Sequence, residues 1–252
     1  MSAAPVPGIV AHRGHTLRFP ENTLAAVRGA IEAGVHHIEI DVQLSADRVP
    51  VLFHDRRLDR LCGASGYVHD MTLRELQALR VTDRARFGDR YATEPIATLA
   101  GFADVVARHP AVTAFVEVKR GAIDAHDVDT VFTAVWEAVE AIRRQCVLIS
   151  FSLEFLAHVR ARQPGVPIAV VVDRWQQLDD PAVHALGAEY VFCDLQGLPA
   201  HGPLVAPNDA TLVVYEVDDP DLARELAARG AHFVETFACA EMRQSLQATP
   251  DG

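Results

Sequence analysis

His37-Ile38-Glu39-Ile40-Asp41-Val42 alternates polar and apolar side chains with the period of a β-strand. That alternation puts Glu39 and Asp41 on one face and Ile40 on the other, with the carboxylates about 6–7 Å apart. Side by side in a buried interior they repel, and they need a cation, an Arg or Lys, or a proton. The plainer reading pairs one with a core Arg and leaves the other solvated at the strand end. Ala114-Phe115-Val116-Glu117-Val118-Lys119 repeats the pattern, with a structural ion pair as its plainer reading. Both strands end in their charges, so parallel pairing would bring Glu39, Asp41 and Glu117 to one rim. Three hard oxygen donors suit one divalent cation, Mg²⁺ or Ca²⁺, with water or substrate oxygens completing its shell. Lys119 beside them points to a metal-assisted reaction on an anion.

Outward from these stretches, short β-branched runs alternate with longer amphipathic ones. Strands are predicted at 9–11, 37–42, 49–53, 114–119, 146–150, 167–172, 190–193, 212–217 and 232–235. Helices are predicted over 22–33, 98–108, 127–144, from the fifth strand to about 163, and over 220–229. The alternation implies βαβ units and a parallel sheet, and the length suits one α/β barrel. Eight of the nine strands would close a TIM-type (β/α)8 barrel, the ninth being a miscall or an extra. A doubly wound open sheet is the alternative. The barrel is favoured because candidate functional residues end several different strands, whereas an open sheet concentrates them at one switch point. Residues 55–95 break the rhythm, with Gly63, Gly66 and Gly88 and a polar run over 82–94. They read as a small insertion after the third strand, over the barrel mouth, within a single domain spanning 1–252. At about 40 residues the stretch is too small to carry much core alone.

His12-Arg13-Gly14 and His54-Asp55 each follow a short apolar strand. A lone histidine there is ordinarily a satisfied rim residue. Two in equivalent places can divide acid and base roles near neutrality. Arg13 offers a bidentate fork for a phosphate or carboxylate, and Gly14 permits a sharp turn or close approach to a ligand. If Ser45-Ala46-Asp47-Arg48 is a tight turn, its strands pair antiparallel and His54 lies opposite Glu39. If the connection is a short parallel crossover, His54 still emerges at a strand end.

Composition narrows the partners. With 34 acidic and 23 basic residues the formal charge is −11, which counts against nucleic-acid binding but not against a small anion met through a bound cation. No apolar run is long enough for a membrane span, and the first residues lack the pattern of a secretory signal. Cys62, Cys146, Cys193 and Cys239 are widely spaced. They read as reduced thiols in a cytoplasmic protein. The sequence contains no phosphate-cradling GxxxxGK[ST], no strand-linked GxGxxG and no GxSxG.

The ordered set His12-Arg13-Gly14, Pro20-Glu21-Asn22-Thr23, Glu39-Ile40-Asp41-Val42, His54-Asp55, Leu58-Asp59-Arg60, Glu117-Val118-Lys119 and Ser150-Phe151-Ser152 resembles the glycerophosphodiester phosphodiesterase family. The resemblance implies a TIM-type barrel and divalent-metal-dependent hydrolysis of glycerophosphodiesters to an alcohol and glycerol 3-phosphate. It implies Glu39, Asp41 and Glu117 as metal ligands and His12 and His54 as general acid and base. Arg13 and Lys119 would neutralise phosphate oxygens, and Glu21 would start a helix. The C-terminal third departs from the family pattern, with Tyr215-Glu216 where relatives carry Trp-Thr and Thr236-Phe237 where they carry Thr-Asp. That leaves open any acidic contribution from the last strand, while Tyr215 could supply an aromatic wall and Glu216 a new polar contact. Two rival activities are a lysophospholipase D-like hydrolase on lipid diesters and a Schiff-base lyase using Lys119. The carboxylates beside Lys119, which would keep it protonated, argue against the lyase.

Overall fold

The computed structural model describes residues 5–248, which form nine strands. They are β1 (Gly8–Ala11), β2 (His37–Leu44), β3 (Pro50–Leu52), β4 (Thr113–Val118), β5 (Cys146–Ser150), β6 (Ile168–Val172), β7 (Tyr190–Asp194), β8 (Thr211–Tyr215) and β9 (Phe233–Thr236). All but β3 pair in parallel, and β1 contacts both β2 and β9. The sheet therefore closes into the eight-stranded barrel, and the open-sheet alternative falls.

Side-chain alternation explains how each strand serves two layers. On β2, Ile38, Ile40 and Val42 join the large core between barrel and helices. On β4, Ala114, Val116 and Val118 do the same, while Phe115 turns into the barrel. The barrel interior is filled on its far side by Val147, Ile149, Ala169, Val171, Phe192 and Val213. Between the strands, helices such as Leu24–Glu32 and Leu99–Val106 are capped by Thr23 and Thr98. One prediction needs shortening: the helix expected over 127–144 ends at Ala138, and a 3₁₀ turn at Glu140–Ile142 follows. The tighter turn accompanies burial of Ile142, while Arg143 donates to the Trp136 carbonyl.

β3 is the strand outside the ring, and it pairs antiparallel to β2. The sequence option of a hairpin is the one observed, but its register is shifted by one residue: Leu44 pairs with Pro50 and Val42 with Leu52. Three residues, Ala46-Asp47-Arg48, close the loop between Ser45 and Val49, with Arg48 left-handed at φ 63°. An odd loop of this kind displaces the pairing by one position. His54 is thus not opposite Glu39. Instead Phe53 N–H donates to the Asp41 carbonyl at 3.0 Å, and the chain leaves the ladder there. The return strand runs back towards the barrel mouth and delivers His54 beside it. Beyond it, Val51, Phe53, Leu58, Leu61, Val68, Leu76, Val81 and Ile96 form a small core of their own.

Candidate active site

The barrel mouth is built on one register. Asp41 on β2 is the direct neighbour of Glu117 on β4, and Glu39 lies one inward-facing step below Asp41. One carboxylate oxygen from each of the three lies within 4.8 Å of the others. Internal cations hold part of this charge. Lys119 Nζ is 3.1 Å from Asp41 Oδ1 and 2.7 Å from Glu117 Oε1. Arg13 Nε is 2.9 Å from Asp41 Oδ2, and Arg13 backbone N–H donates to Glu39 Oε2 at 3.0 Å.

Burial alone would push the Asp41 carboxyl up, but Lys119 and Arg13 overcome it and hold Asp41 well below the usual carboxylate range. Burial would likewise lower Lys119, yet Asp41 and Glu117 keep it protonated. For Glu39 the relief from Arg13 is outweighed. Burial, Asp41 and Glu235 together push it well above its ordinary value. Its Oε1 is buried with no hydrogen-bond partner among the described residues. Glu39, Asp41, Glu117 and Glu235 are all buried, against the two nearby cations Arg13 and Lys119. A divalent cation fits this excess of negative charge and this all-oxygen donor set.

His12, at the end of β1, stacks on Phe237 with ring centroids 4.7 Å apart. Its Nε2 is 3.9 Å from Glu39 Oε2 and its Nδ1 3.3 Å from Glu216 Oε1. Burial and then Arg13 push its pKa well down. His54 Nδ1 is 2.7 Å from Asp55 Oδ1, and Gln43 Nε2 donates to the His54 carbonyl at 3.0 Å. His12, His54, Arg13, Glu39, Glu117 and Lys119 all line one cavity of about 170 Å³. Asp41, next to Glu117 on the neighbouring strand, is fully buried.

Several neighbours were not legible as site residues. Asn22, left-handed at φ 57°, donates to Asp41 Oδ2 at 2.8 Å and accepts from Asp41 N–H at 2.9 Å. Glu21 does not start the helix, which begins at Leu24 behind the Thr23 cap. It is instead clamped between Arg13 Nη1 at 3.1 Å and Arg60 Nη2 at 2.7 Å. Arg13 is therefore less free than a fork awaiting phosphate. Its Nε lies against Asp41 and its Nη1 against Glu21. Gly14, at φ 85°, approaches a helix rather than a ligand: a Cβ there would meet the Ala26 backbone at 2.7 Å. The last strand does supply an acid, Glu235, which lies in the pocket near His12 and Glu39. A glutamate ending a barrel strand, as Glu117 does, was the available signal. Tyr215 lines the cavity and donates its hydroxyl to the Val172 carbonyl at 3.0 Å.

Residues 12–236 match the glycerophosphoryl diester phosphodiesterase family. The chain belongs to that family. The match runs from His12 to Thr236 and so spans every residue placed above at the mouth except Phe237. The Mycobacterium tuberculosis protein named "Probable glycerophosphodiester phosphodiesterase 1" is 31% identical over 236 residues, which cover 87% of this chain and 86% of that protein. Solved structures share the barrel. A phosphodiesterase from Oleispira antarctica, in complex with the product sn-glycerol-3-phosphate, superposes with a TM-score of 0.81 at 23% identity, over 96% of this chain and 98% of that one. A glycerophosphodiester phosphodiesterase from Agrobacterium tumefaciens gives a TM-score of 0.76 at 23% identity, over 94% and 99%. Among the described residues no helix is long and apolar enough to cross a membrane. The family barrel here carries its cysteines free, with burial pushing each thiol up to about 12.

Proposed function

We propose that this family member is a divalent-metal-dependent hydrolase that splits glycerophosphodiesters into an alcohol and glycerol 3-phosphate. The observation that carries the reading is one cavity lined by Glu39, Glu117, Lys119 and two histidines, with buried Asp41 paired to Lys119. The name of the M. tuberculosis relative and the product held by the O. antarctica structure support the same chemistry. Glu39, Asp41 and Glu117 would hold the cation, Mg²⁺ or Ca²⁺, which when bound supplies Lewis-acid stabilisation of charge on phosphate oxygens.

The chain's own residues do the rest. Lys119 and Arg13 orient the phosphodiester and offset the charge that builds on it. His12 and His54 divide proton transfer: one takes the proton of the attacking hydroxyl, the other gives one to the leaving alkoxide. The attacking group is water, or the substrate's own glycerol hydroxyl by way of a cyclic phosphate. Asp55 orients the His54 ring, and Phe237 orients that of His12. The state of Lys119 disfavours a Schiff-base route, which needs a neutral amine. We also propose that residues 55–95 act as an insertion over the mouth within one functional unit. Arg60 supports this, because it reaches back to Glu21 and to Asp55 beside His54.

The test is a turnover screen of glycerophosphocholine, glycerophosphoethanolamine and bis(p-nitrophenyl) phosphate, with and without added Mg²⁺ or Ca²⁺. Hydrolysis of the glycerophosphodiesters that vanishes on chelation and returns with the cation is expected. Activity untouched by exhaustive chelation would remove the metal from the scheme.

A further inference from the structure

One buried carboxylate has no part in the chemistry above. Glu235, near the end of β9, is 3% exposed and points into the barrel. Its Oε1 has no hydrogen-bond partner among the described residues, and neither has Oε1 of Glu39. Arg13 and Lys119 are engaged elsewhere, with Asp41, Glu21 and Glu117. Yet one ligand atom each from His12, Glu39 and Glu235 lies within 4.8 Å of the other two. No hydrogen bond joins the three side chains, and the separation is what two bonds of about 2.0–2.4 Å to a shared ion span. The donor set differs from its neighbour. Glu39-Asp41-Glu117 is all oxygen, whereas this trio includes an imidazole, and imidazole with carboxylates favours Zn²⁺ over Mg²⁺ or Ca²⁺.

We propose that His12, Glu39 and Glu235 form a second cation site, selective for Zn²⁺ and inhibitory. The inhibitory half rests on the proton-transfer role given to His12 above: an ion on the imidazole lone pair leaves that nitrogen unable to take up or deliver a proton. Glu39 is shared with the activating trio, so the second ion sits beside the first rather than replacing it.

Equilibrium dialysis of Mg²⁺-loaded protein against Zn²⁺ decides the binding half. The wild type is expected to take up one equivalent of Zn²⁺ that excess Mg²⁺ does not displace. Glu235→Gln should bind it roughly 100-fold more weakly, having lost one of three protein ligands. In the same protein, Zn²⁺ should inhibit glycerophosphodiester turnover at saturating Mg²⁺, and Glu235→Gln should resist. Glu235→Leu, which fills the space without a buried acid, repeats the test if the glutamine variant fails to fold. Equal Zn²⁺ affinity in wild type and variants, or Zn²⁺ fully displaced by Mg²⁺, would overturn the site. Tight binding through Glu235 without inhibition would overturn its inhibitory role. Should no diester be hydrolysed under any condition, the activity reading fails, and dialysis still decides the site.

Discussion

The two sides of the barrel mouth are built mostly from different materials, one charged and one largely apolar. The β1, β2, β4 and β9 side carries His12, Arg13, Glu39, Asp41, Glu117, Lys119 and Glu235, nearly all in mutual contact. The β5 to β8 side presents Ile149, Phe151, Val171, Phe192 and Tyr215 to the same cavity, with Glu216 just past β8 as its acid. The charged side holds its charges in fixed positions, and the apolar side lowers the local dielectric so that those charges act more strongly than in water. Each needs the other. Charges in bulk water would be screened, and an apolar barrel without them would carry no fixed charge at its mouth.

The sharpest way to break this contrast is on the charged side. His12→Ala and His54→Ala are each expected to lower kcat by about 10²–10⁴-fold while circular dichroism stays native. Near-normal turnover in either would end that residue's acid/base role. Lys119→Met should lower kcat/KM by roughly 10²-fold, since Asp41 and Glu117 lose their shared cation as the phosphate loses a donor. A change confined to stability would mean that Lys119 is only structural.

On the apolar side the currency is packing. Phe192, 1% exposed and edge-on to Phe115 at 5.2 Å, should lose about 3–5 kcal/mol of stability on Phe192→Ala in denaturant unfolding. Turnover per folded molecule should stay within about tenfold. A collapse of kcat comparable to that of the histidine variants would erase the distinction between the two sides.

The smallest expected effect tests the joint between barrel and insertion. Burial pushes Glu21 up, but the hydrogen bond from Arg60 and the charge of Arg13 hold it below its usual value. A carboxyl lowered in the folded state contributes stability above its unfolded pKa of about 4.3, and that stability is lost as pH falls through the folded value. Glu21→Gln should therefore cost about 1–2 kcal/mol at pH 7, with the gap to wild type closing in acid. Urea unfolding at a series of pH values reads this directly. A gap that persists unchanged in acid would assign the loss to packing.

Much of this was legible along the chain. The period-two alternation in Glu39-Ile40-Asp41 and Glu117-Val118-Lys119 places their charges on one face whatever the partners, because strand geometry is local. The eight barrel strands and the extra one were countable for the same reason. The position of His54 was not, because it depends on one residue of hairpin loop length, and that one residue flips every pairing. Nor was Glu235, whose neighbours Glu39 and His12 stand some 200 positions earlier and meet it only when the barrel closes between β9 and β1.

By itself, then, the sequence determined the alternating βα plan, the faces of the strands and the identity of most of the charged side chains, since these follow from backbone period and side-chain chemistry. The tertiary structure alone decided which charges neutralise one another: Arg13 given to Asp41 and Glu21, Lys119 to Asp41 and Glu117, and Glu39 and Glu235 each left with an unpartnered oxygen. Coulomb interactions depend on distance through space and on burial, and the linear chain specifies neither until its ends have been brought together.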